Sequence, residues 1–351
     1  MTLQQRRRAA SDIRCTLAMS PPGLADHLFP DAVRRRLEGA VKVSPQILTE
    51  FTSPSSRAAL ADTDVLLTGW GCPPLDADAL ACAPRLAAVV SAAGSALSPL
   101  LHANPVLTKR LRFANAGAVN AVPVAEYSVA MILLAGKRIF ESARLYRARR
   151  DFIDREAVFP DAGNYRRTVG LIGASRIGRL VIERLRRSTD LRIVVADPYL
   201  SVEEAAFLGV HLVGLPELMR SVDVVSVHAP LLPETRGMIT AELLALLPDG
   251  ATVINSARGA VIDQDALLAE LAAGRLNAIL DVTHPEVLPA DHLLYDLENV
   301  FLTPHMAGSV GNELRRMGEH VVDEVIRFAR GEDFANPEYP HSAGAPIPAA
   351  E

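Results

Sequence analysis

Three side chains in the second half of the chain have complementary chemical types, and each falls just beyond an apolar run: Arg258 in NSARGAVID, Glu286 in LDVTHPEVLP and His305 in LTPHMAGS. A guanidinium grips a carboxylate with a fixed two-pronged fork and polarises a neighbouring carbonyl. An imidazole takes and gives protons near neutral pH. A carboxylate beside that imidazole orients it and favours its protonated form. Together they suit proton-coupled chemistry on a small substrate that carries an acid group. Each type alone is ordinary: loop arginines and glutamates are usually solvated charge, and a lone histidine is usually a packed or capping residue. On pattern alone two more histidines compete for the proton-transfer role, His228 in SVHAPLLPETRGMI and His284 beside Pro285 and Glu286.

The elements that must position these residues begin with Thr168 to Asp197. A short apolar run, Val169 to Ile172, meets Gly173. Apolar positions Ile177, Leu180, Val181 and Leu185 then recur at helical spacing, and a second strand, Arg192 to Ala196, stops at Asp197. This is a strand, helix, strand unit with Gly173 and Gly178 in the first and third places of the dinucleotide fingerprint, Ser175 in the middle place and an acid at the next strand end. The physical demand is that a pyrophosphate approach backbone N–H groups at a helix N-terminus, where unsatisfied donors and the dipole favour an anion. Asp197, with no arginine directly after it, favours NAD over NADP, since a 2′-phosphate meets a like charge there. With a nicotinamide at hand, the chemistry of Arg258, Glu286 and His305 becomes hydride transfer between a 2-hydroxy acid and the cofactor.

Strand patterns continue at Val210 to Val213, Val222 to Val227, Ala251 to Asn255, Asn277 to Leu280 and Val300 to Thr303. Helices are expected near Pro216 to Met219, Ala241 to Leu247 and Gln264 to Ala273. With the first two strands this makes about seven, enough for a doubly wound parallel sheet whose ligand crevice lies beyond the strand ends. The first 119 residues read as a smaller α/β unit, with strands at Ile13 to Met19, Asp64 to Gly69, Ala87 to Ser91 and Leu111 to Ala114 and helices at Asp31 to Glu38 and Asp76 to Ala81. Trp70 and the small residues Ser91 to Ser95 follow two of these strands as candidate ligand contacts. A single long helix is expected over Val122 to Arg149, with Pro123 in its first turn, and a last helix over Val310 to Gly331. The expected domains are 1–119 with 310–335, and 120–309, followed by a flexible tail over 336–351.

Composition narrows the function classes. In 351 residues a formal net charge of −5 argues against a nucleic-acid partner. No stretch reads as a membrane span of ~20 uncharged apolar residues, and Arg6 to Arg8 read as a solvated tail with no apolar signal segment behind them. Cys15, Cys72 and Cys82 have neither disulfide nor zinc spacing. No metal is expected, and a reducing cytoplasm fits.

The motifs NAVPVAEYSVAMIL (120–133), TVGLIGASRIG (168–178), VDVVSVHAPLLPETRGMI (222–239), NSARGAVID, LDVTHPEVLP and LTPHMAGS together resemble the D-isomer-specific 2-hydroxyacid dehydrogenases. The resemblance implies a Rossmann domain beside a flavodoxin-like substrate domain, a homodimer built around the cofactor domains, NADH as cofactor and a small 2-oxo or 2-hydroxy acid as substrate. It implies Arg258, Glu286 and His305 as the catalytic set. It also extends the cofactor set of Gly173, Ser175, Gly178 and Asp197 to Arg176, Ile177, His228, Pro230, Thr235, Ala257, Asp281 and Gly308. Ala93, Gly94 and Asn120 are implied near the substrate with Trp70 and Arg258. The chain departs from the family in Ser175 and in the segment Ala92 to Leu97, which lacks the usual acid. Glu286 argues against a formate dehydrogenase, where the resemblance implies glutamine. A different class of function keeps the same fold: a non-catalytic NADH-sensing regulatory protein.

Overall fold

The computed structural model describes residues 12–94 and 111–338. The chain divides into two compact units, one reaching to Asn120 and resuming at Ser309, the other running from Ala121 to Gly308. In the first, strands β1 (Arg14–Ala18), β2 (Lys42–Leu48), β3 (Val65–Thr68), β4 (Ala88–Ser91) and β5 (Arg112–Asn115) form a parallel sheet in the order β2-β1-β3-β4-β5. This is the flavodoxin-like order. Val65–Thr68 and Ala88–Ser91 are buried throughout, which is why they read as unbroken apolar runs rather than alternating ones. Strand β2 has no expectation in the sequence: KVSPQIL is an edge strand that carries Pro45 and is mostly exposed or half-buried, so neither periodicity nor burial marks it. The helix Leu314–Ala329 returns to this unit and packs Met317, Val321, Val322 and Val325 onto it. Gly318 is required there, because a Cβ would stand 1.7 Å from the Leu28 carbonyl oxygen.

The second unit holds β6 (Thr168–Ile172), β7 (Arg192–Ala196), β8 (His211–Leu212), β9 (Val224–Val227), β10 (Thr252–Asn255), β11 (Asn277–Leu280) and β12 (Val300–Leu302). All pair in parallel, in the order β12-β11-β10-β9-β6-β7-β8. The chain therefore winds outward from β6 to β8 and then crosses to β9, so the switch point where strand order reverses lies between β6 and β9. One face of the sheet carries Val194, Leu218, Val225, Val253, Leu267 and Leu280. The other carries Val169, Leu171, Val181, Ile193 and Ile254.

Five expectations differ from the structure. The single helix over Val122 to Arg149 is two, Gly117–Gly136 and Ile139–Arg149. The break is Arg138, left-handed at φ 51°, whose guanidinium bonds Glu141 at 3.2 Å, the Gly250 carbonyl at 3.1 Å and Asp161 at 2.5 Å. Pro123 is interior rather than in the first turn, because the helix starts at Gly117, whose N–H donates to Asn115 Oδ1 at 2.8 Å. By length and composition Gly117–Gly136 also passes as a membrane span, which no stretch was expected to do. It is a core helix, packing Ala125, Ile132 and Ala135 with β6 and β7. The last helix starts later than Val310, after a 3-10 turn at Gly311–Glu313. The expected tail is held where it is described: the Ala335 and Asn336 N–H groups donate to buried Glu324 at 2.9 and 2.8 Å, and Glu338 N–H donates to the Phe113 carbonyl at 2.8 Å. Residues 339–351 and Arg6 to Arg8 lie outside the described residues.

Candidate active site

The glycine turn stands at the switch point. Gly173 closes β6 at φ +98°, and a Cβ on it would come within 3.0 Å of the His228 and Ala229 backbone. Gly178 is tighter still, with a Cβ 2.2 Å from the Gly173 carbonyl oxygen. Only hydrogen atoms allow strand, turn and helix to approach this closely. Ser175 is the residue before the helix Arg176–Ser188, yet its side chain makes no cap hydrogen bond. The helix N-terminus thus lacks the side-chain acceptor that serine usually supplies there. Arg176 is exposed, and Ile177 packs against the core. Asp197 Oδ2 accepts the Ala174 N–H at 2.7 Å and Oδ1 accepts the Tyr199 N–H at 2.8 Å. Each oxygen keeps a lone pair, so the acid both ties the turn to β7 and can still accept from ribose hydroxyls.

His228, at the end of β9, is 5% exposed, and its Nε2 has no hydrogen-bond partner among the described residues. Burial pushes the imidazole down to about 4, so it is neutral near pH 7. That favours an acceptor or neutral donor role over proton shuttling. Pro230 is exposed, and its carbonyl accepts from Thr235 Oγ1 at 2.6 Å while Thr235 Oγ1 accepts from Leu232 N–H at 2.8 Å. Thr235 therefore closes the loop after β9. The cradle formed by Gly173, Gly178, an uncapped helix start and an orphaned buried imidazole fits a dinucleotide.

Beyond β10, Asn255 is buried and fixes the next turn from both ends of its amide: Oδ1 accepts from Ala257 N–H at 3.0 Å and Nδ2 donates to the Arg258 carbonyl at 3.0 Å. Arg258 is exposed and donates to its neighbour's carbonyl, Ala257, at 2.6 Å. Gly259 abuts the loop after β11, with a Cβ 2.1 Å from the Thr283 carbonyl carbon. Gln264, the first residue of the helix Gln264–Ala272, pairs with both backbone groups of His284 in that loop at 2.8 Å. Thr283 Oγ1 donates to the Pro285 carbonyl at 2.8 Å and the Glu286 carbonyl at 3.1 Å.

His305 Nδ1 and Glu286 Oε1 stand 2.5 Å apart, both side chains about half exposed. An ionised carboxylate only accepts, so Nδ1 carries the proton and Nε2 is the ring atom left to face a ligand. His305 is left-handed at φ 55°. Its N–H donates to the Asp281 and Thr303 carbonyls at 2.9 and 3.0 Å. Asp281, 2% exposed, accepts from Thr303 Oγ1 and Met306 N–H on Oδ1, both at 2.6 Å, and from Ala307 N–H on Oδ2 at 2.9 Å. Gly308 follows, half-buried. Glu286, His305 and Asp281 are thus joined through one strand-end turn, whereas no hydrogen bond links Arg258 to them among the described residues.

The candidate substrate residues belong to the other unit. Trp70 is 37% exposed before Gly71, which is left-handed. Ala93 is buried, its N–H donating to Ser91 Oγ at 3.2 Å. Gly94 faces Asn120, whose Nδ2 would stand 3.3 Å from a Cβ on it, and Asn120 Oδ1 accepts from Ser309 N–H at 2.7 Å. Residues from Ser95 to Leu97 lie outside the described residues. The sequence reading passed over Asn255, Gln264, Thr303 and Tyr127, which hold the strand-end loops. Their one signal is a hydrogen-bonding side chain next to, or packed beneath, a candidate residue.

Comparison with known proteins accords with this architecture. The sequence profile of the D-isomer specific 2-hydroxyacid dehydrogenase NAD binding domain matches residues 129–307. The D-3-phosphoglycerate dehydrogenase of Mycobacterium tuberculosis (strain ATCC 25618 / H37Rv) is 33% identical over 315 residues, 88% of this chain and 57% of that protein. A glyoxylate reductase of Korarchaeum cryptofilum is 34% identical over 263 residues, 74% of this chain and 78% of that protein. The chain spans about half the length of the first phosphoglycerate dehydrogenases it matches. A phosphoglycerate oxidoreductase from Rhizobium etli shares the fold at a TM-score of 0.75 and 24% identity, over 93% of this chain and 97% of that one. The chain belongs to the D-isomer-specific 2-hydroxyacid dehydrogenase family, and its second unit contains that family's NAD-binding domain.

Proposed function

We propose that the protein is an NAD(H)-dependent oxidoreductase that interconverts a small 2-oxo acid and the corresponding D-2-hydroxy acid. The observation that carries this reading is the 2.5 Å contact between Glu286 and His305 Nδ1, which leaves Nε2 as the working proton site. The bound nicotinamide supplies or receives the hydride. In reduction, Nε2–H donates its proton to the carbonyl oxygen, and Glu286 holds Nδ1 so that Nε2 is the ring atom facing the substrate. In oxidation, neutral Nε2 accepts the hydroxyl proton. Arg258 grips the substrate carboxylate and polarises its neighbouring carbonyl, with Ala93, Gly94, Asn120 and Trp70 as further substrate contacts.

For the cofactor, we assign phosphate contacts to the turn from Gly173 through Ser175, Arg176 and Ile177 to Gly178, and ribose contacts to Asp197. His228, Pro230 and Thr235 are assigned to the adenosine side, and Ala257, Asp281 and Gly308 to the nicotinamide side. The carboxylate of Asp197 favours NADH over NADPH. Residues 1–119 with 310–335 act as substrate domain and 120–309 as cofactor domain, a division supported by the two compact units. A homodimer is supported by the exposed apolar side chains of Ile139, Tyr146, Phe152 and Tyr165 in one stretch before β6, and cytoplasmic action by three free cysteines.

The test is loss of NADH absorbance on adding glyoxylate, hydroxypyruvate and a wider panel of 2-oxo acids. Turnover with at least one is expected. Tight NADH binding without turnover on any of them overturns the enzyme reading in favour of an NADH-sensing protein.

A further inference from the structure

Two consecutive residues of the helix Gly117–Gly136 turn hydroxyls toward two different strand ends. Tyr127 Oη lies 2.8 Å from Thr303 Oγ1, and Ser128 Oγ lies 3.1 Å from Ser256 Oγ. Thr303 precedes Pro304 and His305. Ser256 precedes Ala257 and Arg258. Counting protons fixes the direction of both contacts. Thr303 has one hydroxyl proton and stands 2.6 Å from the Asp281 carboxylate, which only accepts, so that proton goes to Asp281 and Tyr127 donates to Thr303. Ser128 gives its own proton to the Val124 carbonyl at 2.8 Å, so Ser256 donates to Ser128.

The Tyr127 chain does not end at Asp281. The same carboxylate receives the Met306 and Ala307 N–H groups, the two amides that follow His305. Among the described residues three of its four acceptor positions are filled, which leaves one on Oδ2 for an N–H donor such as a carboxamide. The Ser128 chain ends beside Ala257, whose N–H is held by Asn255. Ser128 and Ser256 are both buried, where a hydrogen bond is strengthened by the low dielectric and orphaning a partner is costly.

We propose that Tyr127 and Ser128 form a two-pronged brace: from one helix, Tyr127 positions the His305 turn through Thr303 and Asp281, and Ser128 positions the Arg258 turn through Ser256. Both are positioning residues. The inference rests on the reading of His305 and Arg258 as the reacting set, but the geometry it concerns exists without cofactor.

The experiment compares Tyr127→Phe, Ser128→Ala, Thr303→Val and Thr303→Ser by amide hydrogen exchange on the cofactor-free protein, followed by steady-state kinetics. Loss of one hydrogen bond predicts exchange about 3- to 10-fold faster at Met306 and Ala307 in Tyr127→Phe, with kcat lowered and KM for the 2-oxo acid little changed. In Ser128→Ala the faster amide is Ala257, and KM for the 2-oxo acid rises by more than kcat falls, since Arg258 both grips the carboxylate and polarises the carbonyl. Thr303→Val reproduces the Tyr127→Phe pattern, and Thr303→Ser, which keeps the hydroxyl, returns it to wild type. Unchanged exchange at all three amides overturns the brace. So does faster exchange across the whole second unit with a lowered Tm, which is general destabilisation. Exchange that separates as stated, in a protein that reduces no 2-oxo acid, upholds the brace and overturns the dehydrogenase reading instead.

Discussion

The contact between Glu286 and Nδ1 leaves His305 a single ring atom for chemistry, and this makes its removal diagnostic. His305→Ala is expected to lower kcat for 2-oxo acid reduction by ~10²-fold or more, the usual contribution of a positioned acid-base group, with NADH affinity near that of wild type by fluorescence titration. The same loss from His228→Ala, with His305→Ala active, overturns the assignment. Ser175 gives a second residue-level prediction. Because its side chain makes no cap bond, Ser175→Ala is expected to change the unfolding free energy by less than about 0.5 kcal/mol, where a working serine cap is worth about 1 kcal/mol. NADH affinity is expected to fall all the same, as the phosphate contact proposed for this residue requires. A large loss of stability with unchanged NADH affinity, read by urea unfolding and titration, contradicts that role.

Among the elements, the β9 end carries a pH signature. His228 is buried, and its imidazole is pushed down to about 4 in the folded protein, against about 6.5 for an unhindered histidine. Between these values the unfolded chain binds the additional proton. Stability therefore rises with pH through the window and is lost as pH falls from about 6.5 to 4. Urea unfolding at pH 7, 5.5 and 4 is expected to show a shallower decline for His228→Asn than for wild type, with up to about 3 kcal/mol of the acid loss removed. Equal declines would mean that His228 is not the titrating group. Elements were legible where burial imposes a pattern: β7 and β11 follow the sequence reading residue for residue because both are apolar runs closed by an acid. The edge strand Lys42–Leu48 was not, since its residues answer to solvent. Nor was the helix break, because the Arg138 guanidinium also reaches the Gly250 carbonyl and Asp161, distant partners that no local sequence rule reveals.

In the whole molecule, each unit closes its own parallel sheet over its own apolar clusters, and the chain leaves the first unit at Asn120 and resumes it at Ser309. Alternation of strand and helix made both sheets legible. Strand-end position made Arg258, Glu286 and His305 legible as candidates. The residues that hold those loops, Tyr127, Ser128, Asn255 and Gln264, were not legible, because in sequence they are polar side chains within helices or at the last place of a strand. The exposed apolar side chains scattered from Ile139 to Tyr165 yield a prediction at this scale. Sedimentation is expected to give a dimer for wild type, and Phe152→Asp, at a side chain 82% exposed in the single chain, is expected to raise the dissociation constant by ~10-fold or more. A monomeric wild-type protein refutes the dimer.

The left-handed backbone at His305 sets two demands against each other at one position. Outside glycine, that conformation costs about 1–3 kcal/mol, so a library varied at position 305 and sorted only for resistance to proteolysis should enrich glycine and asparagine. The same library sorted for turnover should return histidine.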